Sequence, residues 1–184
     1  MFLPLSRTKT IDMIIEDKKV VSVSYHLASK NNINPIESFV EKTDKEHPLT
    51  FIFGTGGLIE AFENNLKGKK KGDKFDFFID SANAYGTRDE SKLADIPMNV
   101  FVGQSGKLDT TIFKVGAIIP MSDDKGNKMQ ARVEKITESH IHMDFNHPMA
   151  GHDLHFVGEV IEVRNATKEE LEHGHVHGPG GHHH

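Results

Sequence analysis

From Val21 to Leu27 every second side chain is apolar (Val21, Val23, Tyr25, Leu27), the period of a half-buried strand. Asn31 to Pro35 then carries the residues of a turn. Leu49 to Phe53 is a second apolar strand, closed by Gly54-Thr55-Gly56-Gly57. Leu58, Ile59, Phe62 and Leu66 fall at helical spacing, and Gly68 sits where a helix C-terminus is capped. Phe75, Phe77 and Ile79 alternate again and predict a third strand.

The stretch from about Arg88 to Phe145 has strand signals of its own. They are Thr110 to Val115, Lys128 to Thr137, and the alternation Ile141, Met143, Phe145, with Asp123 to Asn127 as a hairpin turn. It is too long for a plain loop, so residues 91–145 are expected to form a small all-β insert domain. Leu154 to Val163 returns to a strong strand pattern, with a phase slip near Gly158 that predicts a bulge. Thr167 and Glu170 form a capping box for a short last helix. The expected class is mainly β (α+β): a curved antiparallel sheet wrapped on one short helix, with the insert.

Composition narrows the functions available. A formal charge of -5 with 27% charged residues gives no reason to expect nucleic acid or a membrane surface as partner. The run Lys67 to Lys71, broken by Gly68, reads as a solvated loop. The absence of cysteine excludes disulfides, thiol catalysis and thiolate zinc sites. No apolar stretch is long enough to span a bilayer, and Met1 to Leu5 is too short for a secretory signal. Residues 1–12 are expected to be a disordered leader, with Met13 as an alternative start, and the cytoplasm is the expected compartment. Asn165-Ala166-Thr167 would matter only in a secreted protein.

Pro48 to Gly54 followed by Gly57 to Glu63 resembles the strand-to-helix segment of FKBP-type prolyl isomerases, and Gly72-Asp73-Lys74-Phe75 and Ala84-Tyr85-Gly86 follow at that family's spacing. Ile96-Pro97, Phe101 and Asn146 to Gly151, with Leu154 and Phe156, resemble the borders of the insert-in-flap domain of SlyD-like members. Val163-Arg164, Ala166-Thr167, Glu169-Glu170 and His173-Gly174-His175 carry the resemblance into the tail.

The resemblance implies an FKBP-like domain of residues 13–90 and 146–167, and a short helix with a histidine-rich tail over 168–184. It implies a proline pocket with catalytic Tyr25, Phe51, Ile59, Phe62, Tyr85 and Phe156, and with Leu58 and Met149 binding substrate. It further implies isomerase and chaperone action by a monomer on unfolded or partly folded proteins with X-Pro bonds. Catalysis would need no cofactor. The tail (His173, His175, His177, His182, His183, His184) would bind nickel, or zinc, copper or cobalt, with metalloenzyme maturation proteins as further partners. A rival reading is a chaperone or metallochaperone with weak isomerase activity.

Two departures bear on this expectation. Ile36 stands where many members carry an acid beside the pocket, and Phe62 where single-domain members often carry tryptophan. Taken without the resemblance, Phe51, Leu58, Ile59, Phe62 and Phe156 read as ordinary core residues and Tyr25 as a strand residue with a surface hydroxyl. The glycine cluster 54–57 lacks the Lys-Ser/Thr of a phosphate loop, and Asp123 to Asn127 has too few ligands for calcium. Of 13 histidines, six lie in the last twelve residues. A purification tag would account for His182 to His184 but not for the interleaved His173, His175 and His177. His140 and His142 share one strand face, as a ligand pair or as surface histidines.

Overall fold

A computed structural model describes residues 12–32, 34–102, 106–123 and 125–176. The leader expected at residues 1–12 lies outside them except for Asp12, whose carboxylate accepts from Lys70 Nζ at 2.8 Å. Among the described residues the elements are β1 (Lys19–Lys30), β2 (Ser38–Lys42), β3 (Leu49–Ile52), α1 (Glu60–Leu66), β4 (Lys74–Ile79), β5 (Leu93–Pro97), β6 (Ile118–Ser122), β7 (Lys128–Ile136), β8 (His140–Asp144), β9 (Asp153–Asn165) and α2 (Lys168–His173). They fall into two units: the described residues up to Ala84 together with those from His152 onward, and Tyr85–Gly151. The chain is mostly antiparallel β with short helices, as the hydrophobic pattern predicts. No helix among the described residues is long and apolar enough to cross a membrane.

In the first unit β1 is the central strand. One of its edges pairs with β9 along its whole length, from Lys19↔Asn165 to Lys30↔Asp153. The other edge is shared, β3 taking Val20 to Val23 and β2 taking His26 to Ser29. β4 adds to the far side of β9. β1 is buried almost continuously and not only at its alternating positions. Ser22 is buried with its hydroxyl bonded to Thr50 Oγ1 at 2.9 Å.

The C-terminal end of this sheet is locked by a carboxylate. Glu170 on α2 is only 2% exposed and accepts both Arg164 guanidinium nitrogens, at 2.9 and 2.7 Å, together with the Thr167 N–H at 2.8 Å. Thr167 Oγ1 in turn accepts from the Glu170 N–H, completing the expected capping box. Buried charge is tolerated because both carboxylate oxygens have charged or backbone donors, the Arg164 fork bonding one to each.

The bulge lies elsewhere than expected. Ser22 pairs with Glu162 but Val23 with Val160, so the extra residue on β9 is Ile161 and not Gly158. Gly158 breaks the apolar pattern for a different reason: a Cβ there would stand 2.2 Å from the Ser24 carbonyl oxygen and 2.5 Å from the Phe75 ring. Close approach of backbone and ring needs a residue without a side chain.

The second unit is a four-stranded antiparallel sheet in the order β5-β8-β7-β6. Its core is Ile119, Ala131, Val133, Ile141 and Met143. The strand expected at Thr110 to Val115 is absent: these residues turn. Asp109 Oδ1 accepts from the N–H and hydroxyl of Thr111, and the Asp109 carbonyl accepts from Phe113 N at 2.9 Å. These local bonds compete with a ladder and win. The strand is β6, beginning at Ile118, and the turn joining it to β7 is the predicted one, held by Asp123 Oδ1 on Lys125 N and Asn127 N. β2 and β5 were not visible in the pattern.

Gly158→Ala is expected to lower the unfolding free energy by about 1–3 kcal/mol, the usual cost of overfilling a packed core. Urea denaturation checks it, and parent-like stability would show that β9 can move away from Phe75.

Candidate active site

Strand register gathers the aromatic residues singled out in the sequence. Tyr25 and Leu27 point to the same face of β1, and Leu27 pairs with Phe156 of β9, which pairs with Phe77 of β4. Phe51 joins from β3. Phe62, a buried residue of α1, meets all four rings, at centroid distances of 6.2 Å to Tyr25, 6.2 Å to Phe51, 5.9 Å to Phe77 and 4.8 Å to Phe156. The Tyr25–Phe156 and Phe77–Phe156 pairs are 5.5 and 5.6 Å apart. The Phe62 contacts are tilted or edge-on, which sets the positive rim of one ring against the negative face of the next. Phe77 was missing from the expected set. Its alternation marked it as inward-facing, but only the pairing with Phe156 shows that it belongs to this cluster.

Tyr25 brings one hydroxyl into this apolar setting. It donates to Glu41 Oε1 at 2.5 Å, the short distance of a charge-assisted bond. Glu41 is delivered by β2, whose pairing Leu27↔Glu41 puts it beside the tyrosine. Thr43 fixes the same spot, its Oγ1 accepting the Tyr25 N–H and its own N–H donating to the Tyr25 carbonyl. This corrects the expectation built on Ile36. Ile36 is 76% exposed, and the acidic partner that it was thought to displace comes instead from Glu41. The clue available in the sequence was chemical: a phenol among phenylalanines needs an acceptor.

Leu58 and Ile59 are half-buried at the entry to α1. The turn before them is set by Glu63, a buried helical residue whose Oε1 accepts the Gly54 N–H at 3.1 Å. Gly54 has φ +81°, open to glycine at no cost. A carboxylate on this turn disfavours phosphate, in keeping with the missing Lys-Ser/Thr. The Ile59 carbonyl accepts from Phe62 N and Glu63 N, and no acceptor among the described residues takes the Ile59 N–H.

Tyr85 and Met149 belong to the second unit. Tyr85 is exposed and its ring stacks on His147 at 4.2 Å with an interplanar angle of 5°. The Met149 N–H donates to His147 Nδ1 at 3.1 Å. The same unit holds a groove of about 710 Å³ lined by Pro120, Met121, Met129, Phe145, His147 and Pro148, among others.

On the opposite face of β9, His155 bridges two carboxylates: Nδ1 to Glu37 Oε2 and Nε2 to Asp76 Oδ1, both at 2.9 Å. Its ring stacks on Phe78 at 3.9 Å. Burial disfavours the imidazolium, but the two acids outweigh it and the pKa is raised above 6.5. Of the tail histidines, His173 ends α2 and stacks on His175 at 5.7 Å. His177, His182, His183 and His184 lie outside the described residues. Among the described residues no three His, Asp or Glu side chains converge to hold a metal.

Comparison with known proteins gives one consistent picture. The FKBP-type peptidyl-prolyl cis-trans isomerase family matches residues 12–117. The chain is 35% identical over 159 residues to the FKBP-type peptidyl-prolyl cis-trans isomerase SlyD of Yersinia pestis, covering 86% of this chain and 75% of that one. It is 34% identical, with the same coverage, to the protein of that description from Escherichia coli strain K12. The Vibrio cholerae protein is 32% identical over 92% of this chain and 78% of its own length.

The His155 bridge makes stability depend on pH. A raised folded-state pKa stabilises fully below the unfolded value of about 6.5 and is lost as pH rises through the folded value. The stability difference between parent and His155→Gln should therefore be largest near pH ~6 and shrink toward alkaline pH. Denaturation at a series of pH values reads it, and a difference that grows with pH would refute the assignment.

Proposed function

This chain belongs to the FKBP-type peptidyl-prolyl cis-trans isomerase family and is a prolyl isomerase, and from that premise we propose that substrate proline docks against the Tyr25–Phe51–Phe62–Phe77–Phe156 ring cluster. The observation that carries the reading is the cluster itself, with its one hydroxyl tied to Glu41. Rotation about X-Pro is opposed by amide resonance, about 18–20 kcal/mol for a peptide bond, so uncatalysed exchange takes on the order of tens to hundreds of seconds. The planar amide is more charge-separated than the twisted transition state. A dry aromatic surface therefore raises the ground state relative to the twisted one. No nucleophile or proton shuttle enters. The Ile59 N–H is a donor suited to a substrate carbonyl, because the fold leaves it unclaimed among the described residues. Glu41 holds the Tyr25 ring at one angle by fixing its hydroxyl, so that its face is preset for proline.

The second unit is proposed to hold unfolded or partly folded clients. Its support is the open groove with Met121, Met129 and Phe145, together with β5 and β6 as free sheet edges in that unit. An edge bonds any extended backbone, and methionines adapt to varied side chains. The tail is proposed to bind nickel through His173, His175, His177 and His182 to His184, with handover to metalloenzyme maturation proteins. His173 and His175, the two described, are exposed and adjacent. When bound, the ion supplies no step of isomerisation. A monomer working in the cytoplasm completes the reading.

Phe62→Ala should slow exchange in a short proline peptide at least several-fold in a variant that circular dichroism shows to be folded. Glu41→Gln should have a smaller effect in the same direction, and unchanged rates in both folded variants would remove the ring cluster as the site. Replacing residues 91–145 by a short glycine-containing turn should spare peptide exchange within a few-fold. The same change should sharply slow proline-limited refolding of a whole protein, because a client held by the same chain presents its bond at a raised effective concentration. Refolding catalysed as well as by the parent would deny the second unit its client-holding role.

A further inference from the structure

His140 and His142 stand two residues apart on β8, with Ile141 and Met143 between and beyond them turned into the core of their unit. The two imidazoles therefore share the outer face, with backbone positions about 6.6 Å apart at a strand rise of about 3.3 Å per residue. Side chains at that spacing can converge on one ion at about 2.0–2.1 Å from each ring nitrogen. Spacing alone would be weak grounds. The stronger observation is what each ring does with its other nitrogen.

His142 Nδ1 is in contact with Asp95 Oδ1 of β5, the residue directly opposite it in the sheet. A carboxylate only accepts, so Nδ1 carries the proton and the lone pair of the neutral ring is at Nε2. His140 Nδ1 lies 3.0 Å from Ser139 Oγ, which can accept its proton in the tautomer that puts the lone pair on Nε2. The backbone beneath is held: the His140 N–H donates to Thr137 Oγ1 at 2.9 Å, while Thr137 N and Oγ1 donate to the His140 carbonyl. A histidine held at Nδ1 by a carboxylate or hydroxyl, with Nε2 free, is the usual form of a metal ligand, because the partner fixes both tautomer and ring angle. Lys135, paired with His142 from β7, is exposed, and its flexible stem lets the ammonium stay in water.

We propose that His140 and His142 form a two-imidazole site, through their Nε2 atoms, for a first-row divalent ion that favours nitrogen ligands, with Asp95 and Ser139 orienting the rings. Two protein ligands leave the ion's remaining positions to water, in keeping with the absence of any convergent group of three among the described residues. The site is separate in sequence from the histidine tail and independent of the proline-binding cluster.

The test is a zinc chloride titration of the full chain followed by imidazole nitrogen NMR, with assigned signals distinguishing β8 from the tail. The His140 and His142 Nε2 resonances should move together with added zinc and saturate as one site. Asp95→Asn should weaken binding at these two rings about 10–100-fold while leaving the tail resonances as in the parent. Backbone signals of Ile141 and Met143 in that variant report whether the sheet is intact. If the β8 rings stay unmoved while the tail saturates, the site does not exist. If they move equally well in a folded Asp95→Asn chain, the orienting role is wrong and the proposal falls with it.

Discussion

The antiparallel pairing of β1 with β9 is the constraint from which the rest follows. It joins Lys19–Lys30 to Asp153–Asn165 in continuous register apart from one bulge. Its ladder aligns Leu27 with Phe156, which places Tyr25 and Phe156 on one face and brings Phe77 in from β4. The helix then needs to contribute only one large residue, Phe62, to complete a cluster whose other members are sheet positions. A one-residue slip would send Phe156 to the face where His155 now meets Glu37 and Asp76, and would bury a charged group against phenylalanine. Register and site are one property.

The same pairing explains how a chain can carry a second unit without disturbing the first. Once β1 and β9 are zipped, lengthening the connection between β4 and β9 adds only the slowly growing entropy of loop closure. The junction is tied within the second unit by Asp89 N to Asn146 Oδ1, Asn146 Nδ2 to the Asp89 carbonyl, and Gly151 N to the Gly86 carbonyl.

Much of this was legible because local periodicity and burial agree. The strands through Tyr25, Phe51, Phe75 and Phe156, the helix ending before Gly68, and the capping box at Thr167 all report themselves within a few residues. The failures share one cause, that distant partners outweigh local pattern. β2 is an edge strand with Phe39 exposed, so no alternation marks it, and Glu41 reaches the Tyr25 hydroxyl only through its pairing with Leu27. Thr110 to Val115 is β-branched and reads as strand, but Asp109 bonds it into turns. Gly158 breaks the apolar period as a bulge would, and its real cause, the Phe75 ring and the Ser24 carbonyl, is invisible until β4 and β1 flank it.

The discontinuous first unit also fixes an order of birth. A ribosome that delivers about 5–20 residues per second completes Tyr85–Gly151 before β9 has been made. The second unit holds all its own strands by then, while β1 and β4 wait with an open edge each for Asp153–Asn165. In every nascent chain the second unit is thus able to fold first, and its host is sealed only once β9 has emerged. A prolyl isomerase begins life with its own sheet unfinished, and the segment that finishes it is translated only after the whole second unit.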